Sequence, residues 1–196
     1  MHEEVARKVY APLATSFVEW MLENYSKSER KGKIHFLARD AIPLHRIAQV
    51  VVEAKPELKI EKGQLSVIYF TRGVAGQLDE ISGLGKKDIN KEHLKRYLED
   101  EGLDKESLLV DMGLYGSLYK YGSKELWKEN MPSLVFLYSK NPHIEGYLNE
   151  KLREGISEEL RESCDIFANS IESLVPQAHY TPKSLIIKEG RVIPEL

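Results

Sequence analysis

Residues Leu108 to Lys120 read LLVDMGLYGSLYK. An apolar run ends at one carboxylate, Asp111, and Gly113, Gly116 and Ser117 follow at once. A short apolar run bounded by turn residues is the pattern of a buried strand. The glycines and serine after it suit a tight passage from strand into helix. The stretch therefore predicts a strand with a ligand loop at its carboxyl end and a helix beginning near Gly116.

The flanking segments repeat this alternation. On the N-terminal side, IHFLA (34–38) and LSVIYF (65–70) read as strands. LHRIAQVVVEA (44–54) and INKEHLKRYLEDEG (89–102) read as helices, the first ended by Pro56 and the second capped by Gly102. On the C-terminal side, GSLYKYGSKELWKEN (116–130) predicts a helix, SLVFLYS (133–139) a strand, and IEGYLNEKLREGISEEL (144–160) an amphipathic helix. CDIFA (164–168) reads as a further short strand, and SLIIKEGRVIPEL (184–196) as a β-hairpin turning at Glu189-Gly190. Ahead of them all, residues 4–25 carry a helical stripe of Val5, Val9, Leu13, Phe17, Trp20, Met21 and Tyr25, which Pro12 kinks or splits. TRGVAGQLDEISGLGKK (71–87) reads as a glycine-bearing loop.

Strands alternating with helices predict an α/β fold: a mostly parallel twisted sheet with helices on both faces, a leading helix and a small C-terminal hairpin. The 196 residues fit a single domain, 1–196, and a hydrophobic content of 42% supports a sizeable core. A net charge of -3 makes nucleic acid an unexpected main partner. The single cysteine, Cys164, excludes an intramolecular disulfide and a cysteine-rich zinc site. The opening MHEEVARKVY does not read as a signal peptide, and no run has the length of a membrane span. These features together give the expectation of a cytoplasmic protein without a membrane partner.

In open parallel sheets, ligands bind at the carboxyl ends of the strands. Three strands run there into polar sequence: Arg39-Asp40, then Thr71-Arg72-Gly73, then Asp111 to Ser117. Two arginines offer planar forks matched to phosphate oxygens. Gly116 and Ser117 open a helix, where free N–H groups favour an anion. Asp111 suits ligand hydroxyls, or a Mg²⁺ ion bridging to phosphate. Together they predict a site for a phosphorylated, hydroxyl-bearing small molecule. Blander readings stand beside this one: Arg39-Asp40 as an ion pair capping the next helix, Asp111 as a turn acid, Arg72 as a solvated loop residue. The six histidines show no metal spacing. His35 reads as a core histidine and His45 and His93 as surface residues, while His179 has some claim on the site. Tyr115, Tyr119 and Tyr121 could stack on a base or pack on the sheet.

LLVDMGLYGSL resembles a degenerate type I phosphoribosyltransferase signature, in which apolar residues and two acids enter a Thr-Gly-x-Thr turn. Asp111 matches the second acid, Val110 stands for the first, Tyr115-Gly116 match Thr-Gly, and Leu118 stands for the last threonine. IHFLARDAIPLHRIA is similar to that family's pyrophosphate loop: Arg39, Ile42, Pro43 and Leu44 match, while Asp40 and Ala41 replace glycines. The resemblance runs over residues 30–140 and implies a phosphoribosyltransferase-like fold. A second resemblance spans nearly the whole chain. It is to the domain that follows the haloacid-dehalogenase (HAD) unit in predicted bacterial hydrolases linked to surface polysaccharide. Phe36, Leu37, Arg39, Asp40, Arg72, Asp111, Gly113 and Gly116 match its motifs, Thr71 and Ser117 stand for its serine and threonine, and IESLVPQAHYTP looks like its tail, which adds Glu172.

The readings left open are a divergent transferase, a non-catalytic sensor of the same fold, and a HAD-type phosphatase. In the transferase, Asp111, Asp40 and Glu172 would be the catalytic candidates. Arg39, Arg72, Gly113, Tyr115, Gly116, Ser117 and His179 would bind ligand, and Asp111 would hold Mg²⁺. A homodimer is expected by analogy with related folds.

Overall fold

The computed structural model describes residues 4, 6–38, 40–70, 91–114, 116–122, 126–127, 132–139, 144–153, 184–189 and 191–195. It opens with a π-helical turn, Ala6–Tyr10, followed by helix α1, Ala11–Lys27. The junction lies at Pro12, in the first turn of α1, where a missing N–H and fixed φ are tolerated. Strand β1 (Ile34–Leu37), helix α2 (Ile42–Ala54), β2 (Leu65–Ile68) and α3 (Lys91–Asp100) follow. Then come β3 (Leu108–Leu114), α4 (Ser117–Gly122), β4 (Ser133–Ser139), β5 (Glu145–Gly146) and α5 (Tyr147–Arg153). β6 (Ser184–Lys188) and β7 (Arg191–Glu195) form the antiparallel hairpin.

The five strands β1 to β5 form one sheet, ordered β2-β1-β3-β4-β5, and every pairing in it is parallel. That is the order of one of the two common doubly wound arrangements. The chain moves outward from β1 to β2, then crosses back to lay β3 on the other side of β1. Right-handed crossovers then place the connecting helices on opposite faces of the sheet.

Side-chain burial follows that division. On one face α1 contributes Phe17, Val18, Met21 and Leu22, and α2 contributes Leu44, Ala48, Val51 and Val52. The α2 residues recur at helical spacing, so one stripe of the helix meets the sheet. They pack with Ile34, Phe36, Val110 and Val135. On the other face Leu94, Tyr97 and Leu98 of α3 meet Leu37, Ile68, Leu109 and Phe136, with Val192 of the hairpin joining them. Within β3 the alternation separates Leu108, Val110 and Met112 from Leu109.

β3, where SLLVDMG (107–113) reads as a strand, runs Leu108–Leu114 and pairs with β4 as far as Leu114↔Ser139. Gly113 permits this: at φ +102, a Cβ would collide with the Tyr138 carbonyl and the Phe136 ring. Of the helix expected over 116–130, Ser117–Gly122 is α-helical and residues 126–127 are π-helical, with the Trp127 indole packed against Gly122. The segment expected to begin a helix at residue 144 first forms β5, and α5 starts at Tyr147. There the Asn149 side chain bonds both the N–H and the carbonyl of Ser139, each at 2.8 Å, and Gly146 leaves room for it. The 71–87 loop, Cys164 and CDIFA lie outside the described residues.

Candidate functional site

β1 and β3 are neighbours, in register through Phe36↔Val110, and they flank the point where strand order reverses. Asp111 follows Val110 within β3, and Asp40 lies in the turn beyond β1. Both carboxylates therefore stand at the carboxyl end of the sheet, on adjacent strands.

The turn holding Asp40 is built by the backbone. Ala38 N–H donates to Ile68 O at 2.8 Å, extending the β1–β2 ladder, and Ala41 N–H donates to Leu37 O at 3.2 Å. Ala41 is the N-cap of α2, and no side chain caps it. Asp40 immediately precedes that N-cap, and Arg39, its partner in the ion-pair reading, lies outside the described residues.

Asp111 is half-buried and shares the strand parity of Leu109, on the α3 face. Its Oδ1 accepts the Met112 N–H at 2.8 Å, a bond to its own neighbour that restrains the carboxylate. Val110, where the resemblance calls for a first acid, is fully buried in the opposite core. Gly116, at φ +66, caps α4 by accepting Lys120 N–H at 2.9 Å, and Ile144 packs where its Cβ would stand. Gly113 and Gly116 thus both answer to packing against β4 and its continuation. Ser117 is exposed at the first position of α4, a helix of 6 residues whose dipole is correspondingly small. At the end of β2, the Tyr97 hydroxyl of α3 accepts the Tyr69 N–H at 2.9 Å and anchors that side of the rim.

Among the sequence candidates, the fold brings Asp40, Asp111, Gly113, Gly116 and Ser117 to one end of the sheet. Arg39, Arg72, Tyr115, Glu172 and His179 lie outside the described residues. Tyr119 spends its hydroxyl on Pro132 O at 3.0 Å, and its ring packs near Trp127. His45, expected at the surface, is half-buried, with its ring meeting Phe36 edge-on. His35 is in the core, as read, with burial holding its imidazole down to about 4.

The sequence reading assigned no residue of the leading segment to the site, and Tyr10, at the end of the π-helical turn, is set apart there by its hydroxyl. The Tyr10 hydroxyl is buried without a hydrogen-bond partner. Burial, and then the Asp40 carboxylate, push it up to about 12.

A cavity of about 150 Å³ lies at the opposite end of the sheet, lined by Trp20, Tyr25, Arg30, Leu108, Ser133 and Glu145 among others. None of the sequence candidates lines it. Among the described residues no group of three or more His, Cys, Asp or Glu side chains is placed to hold a metal. A Mg²⁺ ion at Asp111 would therefore complete its shell with water and ligand phosphate, the usual habit of that ion. No helix among the described residues is long and apolar enough to cross a membrane. A scan against protein-family models and a search of curated proteins find no match to this chain.

Proposed function

We propose that the protein binds a phosphorylated, hydroxyl-bearing small molecule, a sugar phosphate or nucleotide, over the carboxyl ends of β1 and β3. The observation that carries this reading is the position of Asp40, in the turn after β1, and Asp111, within β3, on either side of the reversal of strand order. Such reversals open a crevice in doubly wound sheets, and ligands sit there. In this reading Asp111 accepts the ligand's hydroxyls or shares a Mg²⁺ ion with its phosphate. Arg39 and Arg72, with the Gly116 and Ser117 amides, hold the phosphate oxygens. Gly113 and Tyr115 shape the loop, and His179 adds a contact.

As a divergent phosphoribosyltransferase-like enzyme, the protein would use the same anion contacts to stabilise a departing pyrophosphate. Asp40 and Glu172 would then be its proton-transfer groups. A second reading, a non-catalytic sensor of the same fold, is favoured by Val110. Its full burial leaves Asp111 without the adjacent acid that the transferase signature carries. Both readings place the protein in the cytoplasm with a small-molecule partner. HAD-type hydrolysis is the weakest, since it needs an Asp-x-Asp pair and Gly113 stands where the second acid would be.

Thermal-shift measurement with phosphoribosyl pyrophosphate, ribose 5-phosphate and nucleotides, with and without Mg²⁺, tests the proposal. A ligand at a hundred times its Kd adds about 2.7 kcal/mol, several degrees for a chain of this size. Asp111→Asn keeps the bond to Met112 N–H, so it should abolish the shift while leaving the unliganded melting temperature intact. No shift with any of these ligands overturns the reading. Mg²⁺-dependent pyrophosphate release then marks the transferase, binding without turnover marks the sensor, and phosphate release from phosphoesters marks hydrolysis.

A further inference from the structure

Leu108 and Ser133 begin β3 and β4, so the cavity they line lies at the amino end of the sheet. Met21 of α1, Leu108 of β3 and Val135 of β4 give it apolar walls, and all three belong to the core. Trp20 and Tyr25 add aromatic faces. Both rings are tethered by their polar atoms. The Trp20 Nε1–H donates to Glu150 Oε1 at 3.1 Å, and the Tyr25 hydroxyl donates to Gly32 O at 2.5 Å. The walls are therefore set before any ligand arrives, which lowers the ordering cost of binding.

Two side chains of opposite charge line the same cavity: Arg30, in the loop after α1, and Glu145, on β5. Among the described residues neither makes an ion pair, with the other or elsewhere. The Arg30 guanidinium makes one hydrogen bond there, from Nη1 to Lys105 O at 3.3 Å, so most of its N–H donors remain. Desolvation, and then the Glu150 carboxylate, push the Glu145 carboxyl up, as for an acid with no cation beside it.

We propose that this cavity binds a small aliphatic amino acid, with its carboxylate on Arg30, its ammonium on Glu145 and its carbon chain against Met21, Leu108 and Val135. A guanidinium matches a carboxylate through paired N–H bonds, and an ammonium is drawn to an anion and to aromatic faces. An anion alone would leave Glu145 desolvated without a counter-charge, and an amine alone would do the same to Arg30. A volume of about 150 Å³ suits a molecule near the size of benzene, so the carbon chain is short. The inference is independent of the rim-site reading, since none of the rim residues lines this cavity.

Calorimetric titration of wild type with norvaline, its ω-amino isomer, pentanoate and pentylamine provides the test. The two amino acids carry both charges at different spacings on the same number of carbons, and at least one should bind. Loss of either charge from the ligand should weaken binding roughly tenfold or more, the value of a hydrogen bond to a charged group. In Glu145→Gln the amino acid should bind no better than pentanoate, and in Arg30→Gln no better than pentylamine. That matching of residue to ligand charge is a result a purely structural role would not produce. Absence of binding by either amino acid at millimolar concentration overturns the proposal. Equal wild-type affinity for the amino acid and a singly charged analogue, or unchanged selectivity in both variants, overturns it as well. If a variant fails to fold, the wild-type ligand series alone decides.

Discussion

His35 Nδ1 lies 2.7 Å from the Ser66 hydroxyl, and the two residues are register partners across β1 and β2. The ring is fully buried and its Nε2 has no partner. Burial holds the imidazole down to about 4, helped by the Lys33 ammonium and opposed by the Gly102 backbone and Asp104. The unfolded chain, with a histidine near 6.5, binds the proton first, so stability is highest above that value and falls as pH drops toward 4. The loss between pH 7 and 5 should be about 2 kcal/mol from this residue. His45, lowered in the same direction by burial, adds to it. Denaturant unfolding at the two pH values checks this, and His35→Gln should remove most of the slope.

Ser66→Ala leaves His35 Nδ1 without its hydroxyl in the core. The expected destabilisation is about 1–3 kcal/mol, the range for orphaning a buried polar group. An unchanged denaturation midpoint would show that the pair contributes nothing.

Two glycines make a matched comparison. Gly113 sits at φ +102 with the Tyr138 carbonyl and Phe136 ring against it, whereas nothing lies within 4 Å of a Cβ at Gly63. Gly113→Ala should therefore cost on the order of 3 kcal/mol from backbone strain and collision together. Gly63→Ala should be neutral within about 0.5 kcal/mol, as surface changes usually are. Melting temperatures of the two variants decide it.

Asn149 clamps the end of β4 through both backbone groups of Ser139. Asn149→Ala orphans a buried N–H and carbonyl at once, for an expected loss of about 2–4 kcal/mol. Hydrogen exchange at the Ser139 amide should accelerate in the variant; unaltered protection would show that the strand end holds without the clamp.

The alternation of apolar runs was enough to find β1 to β4, α2, α3 and the hairpin, because each buries a face whose period its sequence repeats. β5 was not legible. Its residues, Glu145 and Gly146, carry no strand signal, and the pairing comes from β4 beside them. Likewise β3 outruns its apolar run because a glycine lets the β4 backbone approach. Of the candidate site, the two acids were readable as strand-end residues. Val110 was readable as core too, as the last residue of the apolar run before the acid.

Trp20 of α1 donates its Nε1–H to Glu150 of α5 at 3.1 Å, and its ring meets Tyr147. The two partners lie 130 positions apart in the chain. At synthesis rates of roughly 5–20 residues per second, α1 leaves the ribosome on the order of ten seconds before α5 exists. Throughout that interval part of its apolar face has no native cover. The leading helix therefore depends for that cover on an element synthesised long after it.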